Sequence, residues 1–191
     1  YMRSHHEQNQ TRFYSFFAIA IAATMAIAFS ANLFTLFVFY EVLTLSTYPL
    51  VAHAGTDKAR QGARVYLGIL LTTSIAFLLV ALIWTLHLAG HTEFTPGGIL
   101  PDTVSETTRA ILLALFVFGT GKAAIMPIHR WLPSAMVAPT PVSALLHAVA
   151  VVKAGVFTIL KIVIFIFGID TVRNTFTSEG FILLASITIL L

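Results

Sequence analysis

The 191-residue chain has no cysteine, which excludes a disulfide framework, a thiolate metal site and a cysteine nucleophile. Charge is nearly as scarce: Asp, Glu, Lys and Arg together make up 10% of residues, and the formal net charge is only +3. That charge is dispersed, with no basic run interleaved with aromatics, so nucleic-acid binding is set aside. His5 and His6 are adjacent in a polar flank and no metal-ligand spacing occurs, so no metal site is expected. The stretch "GTGK" at 119–122 lacks the spacing of a phosphate-binding loop and lies inside an apolar run, so no nucleotide or other cofactor is expected. Nothing resembles a secretory signal peptide.

What the chain has in abundance is hydrocarbon. It is 58% hydrophobic with a mean hydropathy of +0.90, far outside the balance of a soluble domain, so the lipid bilayer is its first expected partner. A helix needs about 20 apolar residues to cross the hydrocarbon layer, and six stretches approach that length. They cover about 13–29, 33–52, 65–88, 109–138, 142–167 and 180–191, the last cut short. "SAN" at 30–32 makes the first two a tight hairpin. The fourth is too long for one straight span, and Pro127 and Pro133 interrupt it. Proline removes a backbone donor and clashes with the preceding turn, so two half-helices with a break near 127 are expected. The reading is an all-α, polytopic transmembrane bundle with one broken helix, a single domain over 1–191 that forms part of a longer subunit.

Basic residues set the expected orientation. Arg3 and Arg12 precede the first span, Lys58, Arg60 and Arg64 lie in the loop 53–64, and Arg130 follows the break. The alternate loop, 89–108, holds Glu93, Asp102 and Glu106 and no lysine or arginine until Arg109 opens the fourth span. The positive-inside rule then puts the amino-terminal flank in the cytoplasm and loop 89–108 outside.

Three ionisable residues lie within the spans. Glu41 is about 12 Å into the second span at about 1.5 Å per residue, and Lys122 and Lys153 are interior to the fourth and fifth. Each costs about 2.5–3.5 kcal/mol at the bilayer centre on insertion scales, so they are expected to face one another or water. Movement of Glu41 relative to Lys122 would change whether that lysine holds its proton. The competing reading is that buried charges only knit helices together. His147 precedes Lys153 by six positions, about 9 Å along the axis and about 120° around it, so waters rather than a direct bond would join them. It reads either as a proton relay or as a packing residue. Lys161 reads as a snorkelling residue near the outer end of its span, with an exit-path role as the alternative. His129, Arg130 and Trp131 read as interfacial, with the tryptophan as anchor. His53 and His87, at span ends, are expected to touch water. Thr72, Thr73 and Ser74 line a wet path or bond back to their own backbone. Gly119 and Gly121 give a thin surface through which a neighbour or water could approach Lys122.

The stretch "GTGKAAIMPIHRWLPSAMVAPTPVSALLHAVAVVKAGVF" (119–157), with "FVFYEVLTLSTYPL" (37–50), resembles the antiporter-like, proton-translocating subunits shared by respiratory complex I, Mrp-type cation/proton antiporters and membrane-bound hydrogenases. The resemblance implies an inverted repeat of five helices with a broken helix in each half, of which this chain is the first repeat and the start of the second. Position by position, it implies that Glu41 is the glutamate of a coupling pair, Lys122 the lysine before the break, Lys153 the lysine or histidine of the next helix, and His147 the histidine of "LLHA". Ser134 departs from the pattern, since many relatives carry an acid after "WLP". The implied path takes protons from the cytoplasmic side to Lys122, through water and His147 to Lys153, and on to the second repeat.

"LTLSTYPLVAHAGT" is most similar to the Mrp branch, which favours a subunit of a multi-subunit cation/proton antiporter that moves protons and sodium or potassium. The alternatives are a proton-pumping membrane subunit of an NADH:quinone oxidoreductase or hydrogenase complex, with the chemistry on other chains, and a scaffold. No catalytic residues are expected in this chain. The expected partners are other membrane subunits, homologous ones included, and the expected location is a prokaryotic cytoplasmic membrane.

Overall fold

The structure, a computed structural model, describes residues 2, 9–169, 172 and 176–190. Arg3, His5, His6 and Leu191 lie outside the described residues. Helix α1 covers Gln10–Phe29, α2 Leu33–Val51, α3 Asp57–Ala89 and α4 Glu106–Gly119. A short α5, Trp131–Ala135, follows the break, then α6, Thr140–Phe167, and α7, Phe176–Leu190. Four of these, α1, α2, α3 and α6, are long and apolar enough to cross a membrane.

Local chemistry explains the starts. The Asn32 side chain accepts from Thr35 N at 2.7 Å, Thr56 from Ala59 N at 3.1 Å, and Ser105 from Thr108 N at 3.2 Å. Each satisfies a backbone donor that a helix start leaves open. Asp57 and Glu106 add favourable charge in the first turns of α3 and α4. Helix α3 begins at Asp57, eight residues before the first apolar residue of the expected span at 65. Its polar opening, "DKARQGAR", has an apolar side in Ala59, Gly62 and Ala63, and Gly62 lies directly against the Ser134 backbone of α5. Packing rather than lipid holds that extension. At the other end Gly90, at φ 77°, stops α3.

The break also begins earlier than Pro127. Helix α4 ends at Gly119, and Thr120 leaves helical geometry at φ −84°, ψ 56°. Short 3-10 turns follow at Gly121–Ala123 and Ile128–Arg130, with Ala124 left-handed at φ 55° between them. Lys122 therefore sits in unwound chain rather than in the helix ahead of it. The reason is steric. Gly119 packs on the Leu78 backbone and Gly121 on the Thr73 hydroxyl, so the two glycines admit α3. At the same crossing α3 widens into a π-helical segment, Ser74–Leu79.

Loop 90–105 straps one end of the bundle. Leu33 N donates to Thr92 O at 2.8 Å, Phe94 N to Ala31 O at 3.0 Å and Ile99 N to Ile166 O at 3.0 Å. These bonds tie the α1–α2 turn to the end of α6. The core between helices holds Leu36, Tyr40, Leu43, Tyr66, Leu78, Phe116 and Trp131, all nearly inaccessible. Apolar side chains such as Phe34, Leu45, Ile83 and Leu160 are exposed around it, as a lipid-facing surface requires.

A methyl group at Gly119 would strike Leu78 backbone atoms, which cannot swing aside. Gly119→Ala is therefore expected to cost about 1–3 kcal/mol of stability, measured by thermal unfolding of the detergent-solubilised full-length subunit. Gly68→Ala, on an open helix surface, is the control and should not destabilise.

Candidate functional site

Lys122 is the most deeply buried cation among the described residues, with 0% exposure. Its ammonium lies against α2: Nζ donates to Tyr40 O at 2.9 Å and to Thr44 Oγ1 at 2.6 Å, and stands 3.1 Å from the Tyr40 ring centroid. The Thr44 hydroxyl donates its own proton to Tyr40 O at 3.1 Å, so toward lysine it can only accept. Three donors on Nζ thus meet a carbonyl, a hydroxyl and a π face, all uncharged. The lysine backbone is pinned as well, since Lys122 N donates to the Tyr40 hydroxyl at 3.1 Å.

Glu41, the next residue after Tyr40, does not touch the ammonium. Among the described residues the ion pairs are Arg60 with Asp57 and Arg109 with Asp102. Among the described residues both Glu41 carboxylate oxygens are buried with no hydrogen-bond partner, although the residue directly follows Tyr40, whose carbonyl receives the ammonium. Orphaned buried carboxylate oxygens are rare in folded proteins because they forfeit their solvation without replacement.

Further contacts hold the unwound chain in place. Trp131 Nε1 donates to Gly121 O at 2.9 Å, and the indole packs edge-on against Tyr66, with centroids 5.5 Å apart. Tyr66 in turn shares a hydrogen bond with Thr47 on α2. Trp131 is therefore a fully buried strut between the break and α3 and not the interfacial anchor its position suggested. It lies inside because α5 folds back against α3. Arg130 beside it is exposed, and His129 is half-buried with Nδ1 unpartnered. His87 is exposed, whereas His53 is half-buried and packs on Phe13 at 5.1 Å. Thr73 and Ser74 bond back to the carbonyls of Ile69, Leu70 and Leu71.

Helix α6 crosses the break at Gly155, which lies against the backbone of Lys122 and Ala123. His147 lies earlier on α6 in a π-helical segment, Leu145–Val149, half-buried, with a buried and unpartnered Nε2. Lys153 is on the exposed side of α6 with Val156, Phe157 and Leu160, at helical spacing. The structure thus gathers Glu41 and Lys122 around Tyr40 and sets His147 on the helix crossing the break, while Lys153 faces away from the packed interior of these residues. Lys161 does not snorkel: it is buried, and its Nζ donates to Ser30 O at 2.6 Å and Ser30 Oγ at 3.0 Å.

Tyr40, Thr44, Thr47, Tyr66 and Ser30 escaped the sequence reading. The first three did leave a signal, since positions 40, 44 and 47 share one helical face beside Glu41.

A membrane bundle with a buried lysine in a helix break and a carboxylate beside it has the form of an ion-handling membrane protein. Residues 30–191 match the family described as "NADH:quinone oxidoreductase/Mrp antiporter, TM". The chain belongs to that family and is an integral membrane protein. It is 32% identical over 163 residues to NAD(P)H-quinone oxidoreductase chain 5 of Picosynechococcus sp., covering 82% of this chain and 24% of that protein. Over 153 residues it is 35% identical to a protein of Rhizobium meliloti described as a probable K(+)/H(+) antiporter component, covering 78% of this chain and 15% of the relative. The solved Mrp complex from Dietzia sp. contains a chain that superposes with a TM-score of 0.70 at 31% identity, over 77% of this chain and 16% of that one. A chain of the membrane-bound sulfane sulfur reductase, an archaeal respiratory membrane complex, superposes with a TM-score of 0.68 at 27% identity, covering 75% of this chain and 30% of that chain. The chain spans about a quarter of the length of the first of these curated relatives.

The tryptophan strut makes a graded stability prediction. Trp131→Phe keeps an aromatic ring but loses the bond to Gly121 O, and should cost about 0.5–1.5 kcal/mol beyond any repacking. Trp131→Ala should cost about 3–5 kcal/mol. Chemical unfolding of the full-length subunit in detergent checks the ranking.

Proposed function

We propose that this chain is part of a proton-translocating subunit of a multi-subunit cation/proton antiporter, with Lys122 as the first proton-holding site and Glu41 tuning its affinity. The observation that carries the reading is the separated pair. The Lys122 ammonium rests on neutral groups of α2 while the neighbouring Glu41 carboxylate is buried and unpartnered. A permanently formed structural ion pair would have closed that gap, because breaking a buried pair is costly. A pair that opens and closes changes how tightly the lysine holds its proton, which is what a pumping site requires.

From Lys122 the proton passes by water and His147 to Lys153. The exposed side of α6 that carries Lys153 then faces the second repeat. Residues 1–191 form one transmembrane domain, the first five-helix repeat and part of a sixth helix. The partners are homologous antiporter-like subunits, and the ions are protons with sodium or potassium. The amino-terminal flank is cytoplasmic and the membrane is the cytoplasmic membrane of a prokaryote. Similarity to NAD(P)H-quinone oxidoreductase chain 5 supports a second reading, a proton-pumping membrane subunit of a quinone oxidoreductase, in which the same residues do the same work.

Lys122→Ala in the full-length subunit, with assembly verified on native gels, should reduce driven proton flux to the background of vesicles lacking the complex. Unaltered flux would show that the chain is a scaffold. Orientation has a direct test in the full-length subunit once any cysteines outside residues 1–191 are replaced. A cysteine at Lys58 should react with an impermeant maleimide only from the cytoplasmic side, and one at Glu93 only from the opposite side.

A further inference from the structure

Lys161 is a second buried cation that the proposed path does not use, and its surroundings differ from those of Lys122. It approaches the end of α1, where Ser30 is the capping residue. The Ser30 hydroxyl donates to Ile27 O at 2.8 Å, leaving its lone pairs and its carbonyl as acceptors for Nζ. The ring of Phe94 lies 4.6 Å from Nζ and that of Phe157 5.7 Å. Phe94 belongs to the strap and is held to Ala31 by its backbone N–H. No carboxylate forms an ion pair with Lys161 among the described residues. The compensation comes from carbonyls at a helix carboxyl end, where a macrodipole favours a cation, and from two aromatic faces.

The position matters as much as the contacts. Lys161 is six residues beyond Gly155, whose backbone lies against Lys122, so it stands about 9 Å of axial rise further toward the strapped end. The Lys122 ammonium rests on Tyr40 and Thr44 and the Lys161 ammonium on Ser30, which at about 1.5 Å per residue along α2 separates them by roughly 15 Å; at an effective dielectric of about 20 a unit charge there disfavours a second positive charge roughly fivefold.

We propose that Lys161 is the electrostatic closure of this repeat. Its ammonium, latched to the end of α1, keeps a proton on the Lys122–His147 path from escaping through the strapped end and so directs it toward Lys153. This inference rests on the proposed proton path and assigns Lys161 a barrier role in place of an exit role.

The test uses the full-length subunit in its assembled complex, reconstituted into vesicles with an internal pH dye. A pH gradient is imposed without any driving cation. Lys161→Met, which removes the charge at similar length, should raise passive proton leak roughly fivefold, whereas Lys161→Arg should stay close to wild type. Adding Lys122→Ala to the Lys161→Met variant should remove the leak, since the escaping protons come from that site. Vesicles of Lys161→Met as tight as wild type would overturn the proposal, as would a leak that survives Lys122→Ala. Loss of driven flux without leak would also overturn it by making Lys161 an exit relay. If Lys161→Met does not assemble, Lys161→Gln removes the charge while keeping a polar head and should raise the leak in the same way, and no rise would count against the closure. The two readings fail separately. Driven flux unaffected by Lys122→Ala alone defeats the proton path, while the Lys161→Met and Lys161→Arg comparison still judges the barrier.

Discussion

The contact between the Lys122 ammonium and one turn of α2 organises the rest of the structure. A cation cannot lie at membrane depth unless its donors are met, and unwound backbone there must be buried against protein. The lysine meets both demands. Its side chain takes the Tyr40 carbonyl and Thr44 hydroxyl, and its backbone N–H takes the Tyr40 phenol. Neighbouring elements then support the segment that carries it. Trp131 holds the Gly121 carbonyl, Tyr66 backs Trp131, and Thr47 returns the network to α2. The break is thus stapled to α2 and α3 by polar groups that all find partners.

Glu41 stands outside that network, as do the ring nitrogens His129 Nδ1 and His147 Nε2. The side chains of Tyr40, Thr44 and Thr47 on the same helix are all engaged elsewhere, while both Glu41 carboxylate oxygens lack partners. An arrangement optimised for stability alone would pair or remove such a group. An unpaired buried carboxylate is instead retained next in sequence to Tyr40, whose carbonyl receives the Lys122 ammonium. The far end of α6 offers the contrast, since Lys161 is satisfied there by a helix terminus and aromatic rings. One cation rests on neutral groups of α2 near an unpartnered acid, while the other rests on a helix terminus and aromatic rings.

The glycines show how close packing and function are joined. Gly119, Gly121 and Gly155 each sit where a side chain would strike the backbone or a side chain of a neighbouring segment. They let α3, α4 and α6 converge on the unwound chain around Lys122. The π-helical widening at Ser74–Leu79 lies at the crossing with Gly119, and the one at Leu145–Val149 carries His147. Such widenings recur at functional sites because they turn side chains away from the regular helical register.

The sequence alone determined the bundle's class and the identity of the charges within its apolar stretches. Hydrocarbon thickness and charge desolvation act on composition and spacing, and need no knowledge of neighbours. It placed the break by its prolines, whereas the chain unwinds from Thr120 because Gly119 and Gly121 are drawn against Leu78 and Thr73 of α3, residues far away along the chain. Trp131 beside Arg130 has the local pattern of an interface, and Lys161 the pattern of a snorkelling residue. Only the folding of α5 onto α3 and of α6 onto the end of α1 turned both inward. Which buried groups face each other depends on helix rotation and crossing, and those are set by side-chain packing among distant segments rather than by the period along any one of them.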